Sequence, residues 1–387
     1  MSFRRLLLAL PLAFGIAAAL AAAPDAAPSD GELAAPDTRL PAHPGLRSLD
    51  PRVLGDPGGA PDVLNPVKGV HGPFRETLTG HDASQDPTPA YTEEERRQLI
   101  EEGRELFFSI TAFGQRPSQG PAVVNQLLSC ATCHPSPGFA DTLTHTVGPV
   151  RERELGRRQS PSLFGVGATA PFGWDGRNPT LQDQSRGAIV SPLEMNASRE
   201  PTKRELDALA EFQKSLVPSP ARSGADYDPV RAKRGEVLFR TPRPVNDPTG
   251  EFPAGQPVAC ATCHEGRFFT DNKPHRMAIL TGDPVFDPGQ IDEKGNILGF
   301  HTPSLIGARF TAPYFHDGIA GDPTSPSNFL GGGVGPGSAE GNIGAVNAPA
   351  ARRALLDNVL PFYNTVRFNF GFTTEELKDL AEFILSL

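Results

Sequence analysis

The sequence predicts a mainly α-helical fold in which one domain occurs twice in tandem. A five-residue motif containing two cysteines occurs twice, and similar short segments follow each copy in the same order. Each half then closes with the pattern T-x-x-E-L-x-x-L-A-E-F-x-x-S-L, at residues 202–216 and 373–387. Leucine and phenylalanine recur in these stretches every three or four residues, which is typical of a helix with one apolar face.

The composition is that of a folded protein with short elements. The 387 residues include 40 Gly and 41 Pro, which limits the length of helices. Hydrophobic residues make up 38% and charged residues 21%, which argues against a mainly disordered chain. A net charge of −9 argues against a protein that binds nucleic acid through a basic face.

The N-terminus has the pattern of a secretory signal peptide over residues 1–23. Arg4 and Arg5 precede an apolar run from Leu6 to Leu20, and three alanines follow. The run is short for a membrane span, and it is the only such run in the chain. We therefore predict export to the periplasm, with a Pro-rich extension over residues 24–90 draped over the domains.

All four cysteines belong to two Cys-x-x-Cys-His motifs. Four cysteines in an exported chain would ordinarily suggest disulfides. This spacing instead lets two thiols form thioethers with haem while the adjacent histidine binds the iron. A zinc ribbon is the main alternative, but it would leave both histidines unexplained. The prediction is two covalently bound haem c groups in two tandem cytochrome c-like domains, held by Cys130, Cys133 and His134 in the first motif and by Cys260, Cys263 and His264 in the second.

The repeats set the predicted domain boundaries at residues 91–220 and 226–387. A Pro-Ser-Leu segment starts at Pro161 in the first half and at Pro303 in the second, 142 residues later. The offset grows to 171 at the closing helices because residues 321–349 are inserted in the second half. The glycines at 331–333 lack the lysine and Ser/Thr of a P-loop, so we interpret them as a surface loop.

The two halves differ at the positions expected to face each iron. Trp174 in the first half corresponds to His316 in the second, and Glu194 and Tyr363 precede the respective closing helices. A carboxylate above an iron can move a proton between the two oxygens of a peroxide, whereas a phenol can bind the iron.

The order of these segments over residues 91–387 resembles the bacterial di-haem cytochrome c peroxidase and MauG family. The resemblance is carried by the tandem motifs, Trp174-Asp175-Gly176-Arg177, residues 311–318 (TAPYFHDG) and residues 192–195 (PLEM). It implies that the first haem is the peroxidatic one, with Gln184 and Glu194 in its distal pocket. It also implies that Trp174 lies on the electron path between the haems.

The same resemblance implies a calcium ion between the domains. The family binds it through an asparagine side chain and the backbone carbonyls of a threonine and a proline. Thr311 and Pro313 match, and Gln159 stands where the asparagine is expected. The amide oxygen of a glutamine is also a hard ligand, so these three residues form the predicted site.

The distal ligand of the second haem has more than one candidate. Peroxidases of the family use a methionine there and MauG uses a tyrosine, and Tyr363 lies at that position. Met277, water or another group are the alternatives. His145 and His275 share a position eleven residues after each haem histidine, which suggests a bond to a haem propionate, although His145 could instead block the first iron at rest.

The resemblance predicts a periplasmic di-haem peroxidase that reduces hydrogen peroxide. Electrons would come from a small redox protein, a c-type cytochrome or a cupredoxin, through the second haem. One alternative is a MauG-like enzyme that oxidises a protein substrate, and another is a non-catalytic electron-transfer protein. The prediction includes neither nucleic acid nor stable membrane insertion, and it leaves a homodimer open.

Overall fold

The computed structural model describes residues 91–120, 123–136, 138–141, 144–151, 154–276, 289–318, 320 and 348–387. The predicted signal peptide, the Pro-rich extension, Met277 and the glycines at 331–333 lie outside the described residues. Within the described residues, no helix has the length and apolar character needed to cross a membrane.

The first half consists of four helices and one β-hairpin. Helix α1 starts at Thr92 and helix α4 starts at Thr202, where each threonine accepts a hydrogen bond from the glutamate three residues later and the glutamate bonds back. The elements are α1 Glu93–Phe108, α2 Cys130–Cys133, β1 Thr144–Arg151, β2 Glu154–Gln159, a 3₁₀ turn Val166–Ala168, α3 Leu181–Val190 and α4 Lys203–Lys214.

The second half has a related order of elements, with an additional pair of short strands before its motif and two π-helical segments. They are α5 Pro229–Arg240, β3 Arg243–Pro244, β4 Pro257–Val258, 3₁₀ Cys260–Thr262, β5 Pro274–His275, β6 Gln290–Ile291, β7 Ile297–His301, 3₁₀ Ala308–Phe310, α6 Ala348–Ala354, π Leu355–Val359, π Phe362–Arg367 and α7 Thr374–Ser386.

Short antiparallel strands link each haem motif to the Pro-Ser-Leu segment that follows it. In the first half β1 pairs with β2, and in the second β5 pairs with β7, which also pairs with β6. Both pairings begin ten residues after the motif histidine. Helices account for most of the regular structure, as predicted, but these hairpins were not predicted, because their glycine- and proline-containing segments lack a clear alternation of apolar and polar residues.

The same helix crossing occurs in both halves. Helix α1 packs on α4 and α5 packs on α7, and a glycine lies at each crossing. A Cβ atom added at Gly103 would lie 2.0 Å from the carbonyl oxygen of Ala208. One added at Gly235 would lie 2.0 Å from that of Asp379. The backbones therefore touch at both crossings, and only glycine fits there.

A matching group of three phenylalanines packs around each crossing. In the first half the ring centroids of Phe107 and Phe212 are 5.1 Å apart, and in the second those of Phe239 and Phe383 are also 5.1 Å apart. Each pair meets a third ring, Phe139 or Phe269, which follows the haem motif. The aromatic group thus ties each haem motif to its two crossing helices.

We expect Gly103→Ala to destabilise the protein, because the added methyl group must push α1 away from α4. Overpacking of this kind typically costs about 1–3 kcal/mol. Gly187→Ala in α3 is the matched control, since that glycine is exposed and no atom lies within 4 Å of an added Cβ. It should stabilise by up to about 1 kcal/mol through helix propensity. Urea unfolding measures both, and equal effects would contradict the crossing described.

Candidate active site

Each motif histidine is held by a backbone carbonyl of its own half. The Nδ1 atom of His134 lies 2.9 Å from the oxygen of Phe139, and that of His264 lies 2.9 Å from the oxygen of Phe269. Both phenylalanines have a positive φ, 48° and 53°, which turns the carbonyl toward the ring. Because Nδ1 donates to this oxygen, Nε2 carries the free lone pair that a metal requires.

Burial favours the neutral form of both imidazoles. It lowers the pKa of His134 and of His264, although hydrogen bonds to Phe139 and Phe269 oppose the shift. A neutral imidazole with its tautomer fixed by a carbonyl is the form that binds metal ions.

The four cysteines fit thioether attachment. All four are free and half-buried, and burial raises the pKa of Cys130 and of Cys260 to about 12. The threonine between the cysteines shapes each turn. The Thr132 hydroxyl accepts the Ser129 N–H at 3.0 Å, and the Thr262 hydroxyl accepts the Ala259 N–H at 2.9 Å. The two motifs therefore present uncharged thiols and one oriented histidine in the same local fold.

Glu194 lies beside the first motif, near the thiols of Cys130 and Cys133. The chain turns after α3, where the Glu194 N–H donates to the Ser191 carbonyl at 3.1 Å. The next residue, Met195, is buried with its sulfur 3.9 Å from the Cys130 sulfur. The carboxyl of Glu194 interacts electrostatically with the thiols of Cys130 and Cys133. Burial raises the pKa of Glu194, and this effect exceeds the lowering by the positive charges of His145 and Arg177.

Gln184 lies on α3, on the side of the Trp174 segment. Its Oε1 atom accepts a hydrogen bond from the Asn178 side chain. A Cβ added at Gly173 would lie 3.7 Å from the same oxygen. Among the described residues no hydrogen bond joins Gln184 to Glu194.

Trp174 lies where the two halves meet. Its indole N–H donates to the carbonyl of Gln159 at 2.8 Å, and its own carbonyl accepts the His301 N–H at 2.9 Å. The Gln159 N–H donates to the carbonyl of His316 at 2.8 Å. His316 in turn stacks on Phe300, with ring centroids 3.8 Å apart. Trp174 and its counterpart His316 are therefore joined through one residue, Gln159.

The predicted calcium residues are only partly arranged as that ion requires. Gln159 and Thr311 are adjacent, but the group that faces the Thr311 carbonyl is the Gln159 side-chain N–H, at 3.2 Å. Calcium is bound by oxygen atoms, and an N–H donor occupies that position here. As placed, Gln159 and Thr311 do not fit a calcium ion.

Tyr363 lies beside the second motif, near the thiols of Cys260 and Cys263. It belongs to the π-helical segment Phe362–Arg367, an irregular helix form that is frequent at functional sites. Its ring stacks on Phe368 with centroids 5.9 Å apart. Burial raises the pKa of the phenol, and the thiols of Cys263 and Cys260 raise it further, which places the ring beside that motif.

Each histidine that follows a motif is paired with an aspartate. Nε2 of His145 lies 2.5 Å from a carboxylate oxygen of Asp141, and Nε2 of His275 lies 2.8 Å from one of Asp271. Burial lowers the pKa of His145, but hydrogen bonds with Asp141 and Cys133 raise it to about 10 overall. Because Asp141 engages Nε2, the structure supports a structural role for His145 over blocking of the first iron.

The aspartate partners could have been found from the sequence, since in both pairs the aspartate and the histidine are four residues apart. The further partners of His275 could not have been found in this way. His275 also bonds Glu251 at 2.5 Å through Nδ1, and Glu251 accepts from Arg367 at 2.9 Å. Arg367 is fully buried and pairs with Asp247 as well. Glu251 and Arg367 are 116 residues apart, and no local pattern joins them.

Comparison with known proteins points to the family that the sequence resembles. Residues 98–228 match the family described as di-haem cytochrome c peroxidase. The methylamine utilization protein MauG of Methylorubrum extorquens is 33% identical over 236 residues, which are 50% of this chain and 60% of that protein. The cytochrome c551 peroxidase of Pseudomonas aeruginosa is 27% identical over 270 residues, 60% of this chain and 72% of that protein.

Two solved structures are also similar. A MauG-like protein associated with microbial copper homeostasis has a TM-score of 0.48 at 22% identity and covers 78% of this chain and 91% of its own. The diheme peroxidase BthA of Burkholderia thailandensis has a TM-score of 0.41 at 20% identity, covering 74% and 85%. The resemblance predicted from the sequence is confirmed at the level of the family, whose members here bear both the peroxidase and the MauG name.

Proposed function

We propose that this chain, whose residues 98–228 belong to the di-haem cytochrome c peroxidase family, reduces hydrogen peroxide beside its first Cys-x-x-Cys-His motif. The observation that carries the proposal is a contrast between two otherwise matching motifs. In each motif the histidine Nδ1 atom donates to a phenylalanine carbonyl oxygen at 2.9 Å. The carboxyl of Glu194 interacts electrostatically with both thiols of the first motif, whereas the phenol of Tyr363 interacts with both thiols of the second.

The cysteines and histidines of the two motifs would each hold one haem c. When bound, haem supplies an iron that exchanges electrons with peroxide or with a second haem. We propose two cytochrome c-like domains, residues 91–220 and 226–387. The matching helix crossings at Gly103 and Gly235 support this division.

Glu194 is the proposed proton carrier. Reduction of one hydrogen peroxide molecule consumes two electrons and two protons and releases two water molecules. Before the oxygen–oxygen bond can break, a proton must move from one peroxide oxygen to the other. The Glu194 carboxylate accepts that proton and donates it to the oxygen that leaves as water. Its raised pKa suits this exchange, because a general acid–base catalyst works best when its pKa is close to the working pH.

Gln184 and Trp174 are proposed to assist from the same side. An amide at position 184 can orient a peroxide by hydrogen bonding, and α3 carries it next to the Trp174 segment. Trp174 lies on the hydrogen-bonded connection through Gln159 to the second half, which we propose as the electron path. The electron donor would be a small c-type cytochrome or cupredoxin in the periplasm.

A MauG-like oxidation of a protein substrate is the second candidate. The position of Tyr363 in the second pocket favours it, because MauG-type ligation of the second haem uses a tyrosine. The 33% identity to a MauG protein points the same way. A plain electron-transfer protein is the remaining alternative, and it would require both irons to be closed to peroxide.

Haem stoichiometry tests the cofactor assignment. Denatured wild-type protein should retain two covalent haems per chain, measured as the pyridine haemochrome against protein mass. Cys263→Ser should selectively weaken the second attachment, because one of its two thioethers cannot form. Cys133→Ser is the matched control at the first motif, and it should also abolish peroxide turnover. Recovery of zinc, or of haem that is released by acid extraction of the wild type, would contradict the assignment.

A further inference from the structure

Gln159 occupies the junction of the two halves, where three of its polar groups are hydrogen-bonded. It is the last residue of β2 and only 3% exposed. Its N–H donates to the carbonyl of His316, its carbonyl accepts the indole N–H of Trp174, and its side-chain N–H donates to the carbonyl of Thr311. One residue of the first half is thus bonded to two carbonyls of the second half and to Trp174.

One of these bonds involves the predicted calcium residues. A calcium site requires several oxygens whose lone pairs point at the ion. Here the Thr311 carbonyl, one of the three predicted oxygens, accepts the Gln159 side-chain N–H at 3.2 Å. The opposite orientation of the amide would place two acceptor oxygens 3.2 Å apart, an arrangement that a cation between them would favour. The two orientations therefore differ in whether the junction depends on calcium.

We propose that Gln159 joins the two halves by direct hydrogen bonds in place of a calcium ion, and so holds Trp174 at the junction without a metal. Gln159 is a positioning residue, which acts through Trp174. The inference rests on the proposed function only in giving Trp174 a role in electron transfer, since the hydrogen bonds and the absence of a calcium requirement do not depend on the reaction.

The first test uses wild-type holoprotein with calcium alone as the probe. Trp174 is the only tryptophan in the chain, so ultraviolet resonance Raman bands that report the indole hydrogen bond belong to this residue. Dialysis against a chelator, followed by added calcium, should change neither these bands nor the midpoint of thermal unfolding. Metal analysis should find calcium far below one ion per chain. Stoichiometric calcium, or a midpoint that falls on chelation, would overturn the inference.

Two variants test the role of the Gln159 side-chain N–H that faces the Thr311 carbonyl. Gln159→Glu replaces the N–H donor by a carboxylate oxygen, so the junction should become dependent on calcium. Its unfolding midpoint in chelator should lie about 2–4 °C below wild type, as expected for the loss of one buried hydrogen bond, and calcium should restore it. Gln159→Ala should lose as much without recovery, and its altered indole bands should show that Trp174 has moved.

Gln213→Ala is the matched control. That glutamine is equally buried, but its side chain bonds Ser185 and the carbonyl of Leu209 within the first half. It should lower the midpoint and leave the Trp174 bands unchanged. Unchanged bands in Gln159→Ala, or a Gln159→Glu protein indifferent to calcium, would refute the positioning role. Loss of peroxide turnover in any other variant would bear on the proposed function and not on this inference.

Discussion

Glu194→Gln should slow peroxide turnover by about 10²–10⁴-fold, the usual contribution of a positioned general acid–base group. A glutamine of the same shape cannot accept the peroxide proton. Both haem spectra should stay nearly the same, because among the described residues no hydrogen bond joins Glu194 to either motif histidine. The measurement is steady-state peroxide reduction with a reduced c-type cytochrome. Glu200→Gln is the control, since that carboxylate is exposed and paired only with Arg186. Equal turnover in Glu194→Gln and wild type would move the proton carrier elsewhere, with His145 next.

Turnover of the wild type and the stability difference between wild type and Glu194→Gln should both depend on pH. Burial raises the pKa of Glu194, so wild-type turnover should fall as the pH drops below this raised value, where the carboxyl is already protonated. A carboxyl whose pKa is raised by folding contributes stability below its unfolded pKa and loses it as the pH rises through the folded value. Glu194→Gln should therefore unfold at a higher temperature than wild type at neutral pH, and at the same temperature near pH 4.

Tyr363→Phe should convert the second haem to another ligation state. An axial phenolate favours ferric iron, and axial ligands set haem potentials over a range of about 0.8 V. With Tyr363 as ligand, that haem should be low-spin with a depressed potential and should lack the long-wavelength absorption of a methionine–iron bond. Loss of the Tyr363 phenolate should raise the potential of the second haem by on the order of 0.1 V or more. Spectroelectrochemical titration of the two haems measures the shift.

Tyr314→Phe is the control for loss of a buried phenol. Its hydroxyl donates to the carbonyl of Ala308 at 3.0 Å, so the variant should lose stability and keep both haem spectra. Met277→Leu should also leave the second haem unchanged. The reverse pattern, with Tyr363→Phe silent and Met277→Leu altering that haem, would remove the MauG-like candidate and leave a conventional peroxidase.

Local features of the fold and the site could be predicted because the residues that form them are close together in the sequence. The motif cysteines and histidines fall within five residues, and the closing helices at 202–216 and 373–387 show their apolar face directly. The sequence repeat also predicted that Glu194 and Tyr363 occupy corresponding places. In the structure the Glu194 carboxyl interacts with the thiols of the first motif and the Tyr363 phenol with those of the second, and their roles stay predictions.

Long-range contacts could not be predicted in the same way. The helix crossing at Gly103 depends on how closely two backbones approach, and a glycine in a helix does not by itself indicate which residue it faces. The bonds of Gln159 to Thr311 and of Glu251 to Arg367 join segments more than a hundred residues apart. For Gln159 the resemblance to the family predicted a metal ligand, whereas the geometry places a hydrogen-bond donor there.

Electron paramagnetic resonance of the fully ferric holoprotein, before and after addition of hydrogen peroxide, shows whether the first haem is open to peroxide and the second closed. We expect one high-spin and one low-spin signal per chain, with the high-spin signal lost on addition of peroxide without prior reduction. Two low-spin signals that peroxide leaves unchanged would show that both irons are closed, and the chain would then be an electron carrier and not a peroxidase.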